Sequence, residues 1–223
     1  MNRFLLKLRI EIEAFWRKIS GEKARRRREA DAAFTKVVSS LKPGDLAIDL
    51  GANFGDFTAQ MALSGASVIA FEPDPFAYDN LQLRMAQFDN VEILNAAAAD
   101  QDGTLKLFRH KDFDSAPAKR TTASTLISSK SNIESGGGIE VEVVDFTAYV
   151  RGLSRDIKLL KVDIEGSEVA LFEKLLKSDV ASCIEHVFVE THERVLPELA
   201  ERTRRLKKMT SGLEKPCINW DWR

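Results

Sequence analysis

The chain has 223 residues and a net charge of −1, with 33 Lys and Arg balancing 34 Asp and Glu. That length suits one well-buried α/β domain with appendages and is short for two, and the balanced charge gives no reason to expect nucleic acid as a partner. No apolar run reaches the ~18 residues of a membrane span, and the only cysteines, Cys183 and Cys217, form no metal-type cluster, so a reduced, cytoplasmic compartment is expected.

The even total hides an uneven distribution. Residues 1–28 carry ten basic side chains against three acidic ones, which leaves the rest of the chain acidic. Phe4, Leu5, Leu8, Ile12, Phe15, Trp16 and Ile19 recur at three- and four-residue steps, which predicts an amphipathic helix over 3–19. Its interspersed charges are unlike the apolar stretch of a secretory leader. Two readings stand side by side: an arm that lies on a membrane surface or binds a partner, or a helix that caps the domain or packs in a homodimer. A second helix, roughly Lys23 to Leu41, ends at Pro43-Gly44. The expected organisation is therefore a helical extension over 1–42 and a single domain over 43–223.

Leu46 to Leu50 is a short apolar run of the kind buried on both faces of a parallel sheet. It carries Asp49 near its end and then breaks into Gly51-Ala52-Asn53-Phe54-Gly55, after which Phe57, Met61 and Leu63 fit a helix starting near Asp56. Strand, glycine turn and helix is the arrangement that lets backbone approach a nucleotide-like ligand. The second strand, Ser67 to Glu72, ends in an acid placed to accept hydrogen bonds from a ribose diol. A dinucleotide fingerprint needs G-x-G-x-x-G; here Gly51-x-Asn53-x-Gly55 lacks the third glycine and Asp49 would repel a pyrophosphate. The acids suit a cationic ligand such as S-adenosylmethionine (SAM).

Pro73 and Pro75 open a helix with Leu81, Met85 and Phe88 on its buried face, and Val91 to Leu94 is the third strand. Asn95 to Asp100 follows as a loop in which Asp100 either meets an adenine amino group or caps the turn into Gly103. Thr104 to Arg109 and Ile139 to Phe146 alternate apolar with polar residues, which predicts an antiparallel pair. The intervening residues 110–138, rich in Ser, Thr, Lys and Gly, read as a functional lid or a mobile loop. Asp145 is placed to cap a short helix over Phe146 to Val150. Ile157 to Val162 is the fourth strand, with Asp163 at its carboxyl end, where ligands gather in open α/β sheets. Glu165 and Gly166 begin the turn, and Glu168 falls in the first turn of the next helix, where an acid complements the helix dipole. Cys183 to Glu190 is the fifth strand; His192, just beyond it, is the best pH-matched base in the chain. Residues 193–209 form a helix, and Pro216 to Trp220 is expected as a last strand of an abbreviated sheet.

Asp49-x-Gly51-Ala52-Asn53-x-Gly55, Ala70-Phe71-Glu72-Pro73 and Lys161-x-Asp163-x-Glu165-Gly166-x-Glu168, in that order, resemble the FkbM family of SAM-dependent methyltransferases over about Gly44 to His192. The resemblance implies a doubly wound, mostly parallel Rossmann-like α/β sheet. It also implies SAM held across Asp49, Gly51, Asn53, Gly55, Glu72 and Asp100, the last because the family often has an acid there. Acceptor contacts would come from Glu165 and from the hydroxyl cluster Thr122, Ser124 and Thr125. Asp163, Glu190 and His192 would do the chemistry, with Asp163 or His192 taking a proton from an acceptor hydroxyl on a sugar of a glycan or natural product. A divalent metal would suit the same acids, but no ligand spacing supports one. Two other classes remain open at this point: a nicotinamide oxidoreductase on a similar fold, and a non-catalytic interaction protein working through its N-terminal helix.

Overall fold

The structure is a computed structural model that describes residues 3–109 and 138–222, with side chains described from Gly21 onward. It begins with α1 (Arg3–Ser40), β1 (Leu46–Leu50), α2 (Asp56–Ala62), β2 (Ser67–Phe71), α3 (Pro75–Met85) and β3 (Val91–Leu94). Next come β4 (Ala97–Ala99), β5 (Gly103–Leu107), β6 (Ile139–Asp145) and α4 (Phe146–Leu153). The chain closes with β7 (Ile157–Val162), α5 (Glu168–Leu175), β8 (Ile184–Val189), α6 (Ala200–Thr210) and β9 (Cys217–Asn219). Among the described residues no helix is long and apolar enough to cross a membrane.

The main sheet has the order β3-β2-β1-β7-β8-β9, and every neighbouring pair is parallel. Successive strands step outward from β1 in one direction through β3, then restart at β7 and step outward in the other. The order therefore reverses between β1 and β7, and the carboxyl ends of those two strands flank the crevice. β1 is buried at every position because both faces are covered. Leu46, Ile48 and Leu50 join Leu160, Val162, Phe146 and Phe172 on one face. Ala47, Val68, Leu159 and Phe188 pack on the other against Ala30, Phe34, Val38 and Leu41 of α1 and its end. Phe34 stacks on Trp222 at 5.1 Å between centroids and meets Phe188 edge-on at 5.2 Å.

Several sequence expectations are revised. The helices expected over 3–19 and 23–41 are one helix; a single mid-helix glycine, Gly21, costs only ~1 kcal/mol, too little to break a rod of this length. Residues 30–41 share the domain's core, so α1 is not an appendage separable at residue 42. The antiparallel β5–β6 pair forms as expected, but in a second sheet of order β4-β6-β5, and Ala97–Ala99, read as loop, is a strand parallel to β6. The helix expected from 193 starts at Ala200 after a 3-10 turn at Pro197–Leu199. The last strand is shorter than expected, and it extends the sheet in parallel to β8.

Candidate functional site at the strand reversal

Gly51, which ends β1, is in the left-handed region at φ 77°, and a Cβ there would stand 1.9 Å from the carbonyl oxygen of Asp163. Its bare Cα thus lets the end of β1 press against the end of β7, tied by the Asp163 N–H donating to Leu50 O at 3.0 Å. The glycine thereby serves a protein contact. Gly55, at φ 81°, is pressed instead against Leu81, whose Cδ1 would lie 2.5 Å from an added Cβ. Because that neighbour is a movable side-chain end, Gly55→Ala is expected to fold with a loss of ~1–3 kcal/mol. A urea titration that leaves the midpoint unmoved would contradict this.

Beneath the Gly51 turn lies a buried ion pair. Parallel register places Asp49 beside Lys161 on the same face of the sheet, and both are sealed from solvent, at 0% and 2% exposure. Lys161 Nζ lies 3.0 Å from Asp49 Oδ1, an ion pair without hydrogen-bond alignment, while it donates to Gly51 O at 2.6 Å and Leu50 O at 3.3 Å. Thr58 of α2 donates its hydroxyl to Asp49 Oδ2 at 2.7 Å. Burial works against the Lys161 charge, but Asp49 and then Asp163 outweigh it and hold its pKa above the ordinary lysine value. Asp49 is therefore a positioning residue, out of a ligand's reach, and Lys161 is the group the sequence reading missed. Its signal was there: a lone lysine inside the apolar run Leu159 to Val162.

Glu72, at the end of β2, is also buried. Its Oε2 accepts from Asn53 N at 2.7 Å and its Oε1 from Asp74 N at 2.8 Å. Gly51 N and Ala52 N both donate to Phe71 O at 3.0 Å, and Gly55 N donates to Ala52 O at 2.8 Å. These turn N–H groups are thus spent inside the protein, so they cannot cradle a pyrophosphate. Desolvation raises the Glu72 pKa to about 7 against the two backbone hydrogen bonds that lower it.

Across the reversal, Asp163, Glu165 and His192 converge. Their ligand-type atoms all lie within 4.8 Å of one another, with His192 Nε2 at 3.4 Å from Glu165 Oε2 and 3.8 Å from Asp163 Oδ1. Glu165 sits in the left-handed region at φ 54° and Gly166 at φ 112°, which folds the turn after β7 back toward the β8 end. Asp163 Oδ1 is buried with no hydrogen-bond partner. Glu168, expected only to complement a helix dipole, fastens the cluster: its Oε2 accepts from Gly166 N at 2.7 Å, and its Oε1 accepts from His192 N at 3.1 Å and lies 3.2 Å from Nδ1. Burial lowers the His192 pKa, but the Glu168 hydrogen bond, then the Glu168, Glu165 and Asp163 charges, carry it up to about 9. This corrects the view of His192 as a pH-matched base, because a ring charged at neutral pH has no lone pair to offer.

The remaining expected site residues fall apart from this centre. Glu190 ends β8 and lines, with His192, a cleft whose other walls include Lys23 and Arg27 of α1, Arg194 and Asp221. The Asp100 carbonyl accepts from Lys174 Nζ at 2.7 Å, in the last turn of α5. The residue that follows β3 at the mouth is Asn95, whose Nδ2 donates to Glu72 O at 2.8 Å. Thr122, Ser124 and Thr125 lie outside the described residues.

Known proteins share parts of this sequence. The family model of the methyltransferase FkbM domain matches residues 49–210. Methyltransferase sdnD of Sordaria araneosa is 29% identical over 189 residues, covering 70% of each chain. Ribosomal RNA small subunit methyltransferase A of Thermotoga neapolitana is 40% identical over 55 residues, and this chain spans only 21% of that protein's length. A provisionally assigned rRNA methylase of Clostridium thermocellum, of known crystal structure, aligns over 80% of this chain and 78% of its own at 11% identity, with a TM-score of 0.43.

Proposed function

The chain belongs to the FkbM methyltransferase domain family, and from that premise we propose that it moves a methyl group from SAM to a hydroxyl group on a sugar of a glycan or natural product. The observation that carries this reading is the division of labour at the strand reversal. The turn N–H groups are consumed internally while carboxylates of Glu72, Asp163 and Glu165 stand at the strand ends. Such a mouth suits a cationic donor and disfavours the pyrophosphate of a nicotinamide cofactor.

SAM, when bound, supplies a methyl carbon already activated by its sulfonium. The chain's task is to align the acceptor and exclude water. Gly51, Asn53 and Gly55 shape the turn under the donor, Asp49 and Lys161 hold that turn rigid, and each Glu72 oxygen retains a lone pair for a ribose hydroxyl. Asp163, whose Oδ1 has no donor, takes the proton leaving the acceptor hydroxyl. Glu190 and the cleft beyond it receive the acceptor.

Side-by-side calorimetry with SAM and NAD tests the proposal: SAM alone should bind, and binding of NAD alone, or of neither, would overturn it. A pH series gives a second check. Glu72 has a folded pKa raised to about 7, so its contribution to stability is complete below the ordinary carboxyl range and is lost as pH rises through about 7. SAM binding needs the ionised form to accept from the ribose and offsets that loss. Affinity for SAM is therefore expected to increase as pH passes 7, and Glu72→Gln should abolish the increase.

A further inference from the structure

We propose that Asp163, Glu165 and His192 form a binding site for a divalent first-row cation. The inference rests on the hydroxyl-methylation reading only for the cation's role, not for its binding. The separations carry it. His192 Nε2 stands 3.4 Å from Glu165 Oε2 and 3.8 Å from Asp163 Oδ1, too long for good hydrogen bonds. Ligands about 2.0–2.2 Å from one shared ion lie between about 3 and 4 Å from each other, according to the angle at the metal. The two separations from His192 thus fit ligands around one ion, and the three ligand atoms lie within 4.8 Å of one another.

Two independent features point the same way. Asp163 Oδ1 accepts no hydrogen bond and lies 3.8 Å from His192 Nε2, so it has lone pairs to offer an ion. Glu168 lies outside the three-ligand set, is 1% exposed, and fixes the opposite ring nitrogen, with Oε1 3.2 Å from Nδ1. A carboxylate on one imidazole nitrogen with the other aimed at a cluster is the outer-shell arrangement that orients metal-binding histidines. One imidazole with two carboxylates suits Mn²⁺ or Zn²⁺ better than Ca²⁺. Binding displaces the Nε2 proton. In the methyl-transfer reaction the ion would hold the acceptor oxygen and lower its pKa, with the hydroxyl proton passing to the Asp163 oxygen that does not hold the ion, or to water, and the methyl carbon exchanging its sulfur bond for one to oxygen.

The test is Mn²⁺ titration of the full chain after treatment with EDTA, followed by calorimetry and by electron paramagnetic resonance of free Mn²⁺. One equivalent should bind. Asp163→Asn combined with Glu165→Gln should abolish binding, Glu168→Gln should weaken it by about tenfold or more, and Asp221→Asn, in the neighbouring cleft, should leave it unchanged. Circular dichroism of each variant checks that it is folded. Absence of binding by the folded wild-type chain, or equal binding by the folded double variant, overturns the proposal. SAM calorimetry on the same EDTA-treated sample keeps the readings apart: SAM binding without Mn²⁺ binding sinks only the metal site, and Mn²⁺ binding without SAM binding sinks only the methyl-donor reading.

Discussion

Asp49→Ala is expected to lower the free energy of unfolding by ~3–5 kcal/mol, because it leaves the Lys161 ammonium buried without its counter-charge. The magnitude follows from enclosure: both side chains are out of solvent, and Lys161 keeps as hydrogen-bond acceptors the carbonyl oxygens of Leu50 and Gly51. Urea denaturation of the single variant and of Asp49→Ala combined with Lys161→Met checks the cause as well as the size. Removing both charges should recover much of the lost stability. A double variant as unstable as the single one would show that the damage comes from the lost Thr58 contact or from a cavity. In the folded fraction SAM affinity should fall too, since the carbonyl of Gly51 is anchored through Lys161.

Asp163→Ala should separate binding from turnover. Its Oδ1 lies 3.8 Å from His192 Nε2, and on the proposed reading it acts on the acceptor, so the SAM dissociation constant should stay near that of the parent while methyl transfer drops by about 10²–10⁴-fold. Labelled SAM screened against cell-surface glycan precursors supplies the acceptor; single-turnover rates with that acceptor, beside calorimetry with SAM, give the two numbers. Equal losses in both would move Asp163 to the donor site.

The parts of this protein that could be read from its sequence are those whose physics is local. β1, β2 and β7 are apolar runs of five or six residues bounded by turns, and they lie where expected. Asp145 caps α4 as anticipated, accepting from Thr147 N and Ala148 N at 3.1 and 3.2 Å. What escaped depends on where chain segments travel. Nothing between residues 95 and 100 says that β4, just ahead of Asp100, leaves the main sheet to pair with β6. Lys161 stood inside a recognised motif, yet its partner is chosen by parallel register with β1, a relation between segments more than a hundred residues apart. Glu168 looked like an ordinary first-turn acid because its bond to His192 spans 24 positions. His192 lies beside Asp163 and Glu165, and the three carboxylates that raise its pKa, those two and Glu168, come together only in three dimensions.

The touching ends of β1 and β7 limit how this enzyme could be retargeted. Gly51 has no room to gain even a methyl group against Asp163 O, so on the proposed reading the turn under the donor and the groups that act on the acceptor meet at one joint without slack. Variation that changes the acceptor would then enter from the rim, through Lys23, Arg27, Arg194 and their neighbours. A diversified library confined to those rim positions should yield folded proteins with altered acceptors, whereas one that includes residues 49–51 or 161–163 should yield mostly misfolded chains.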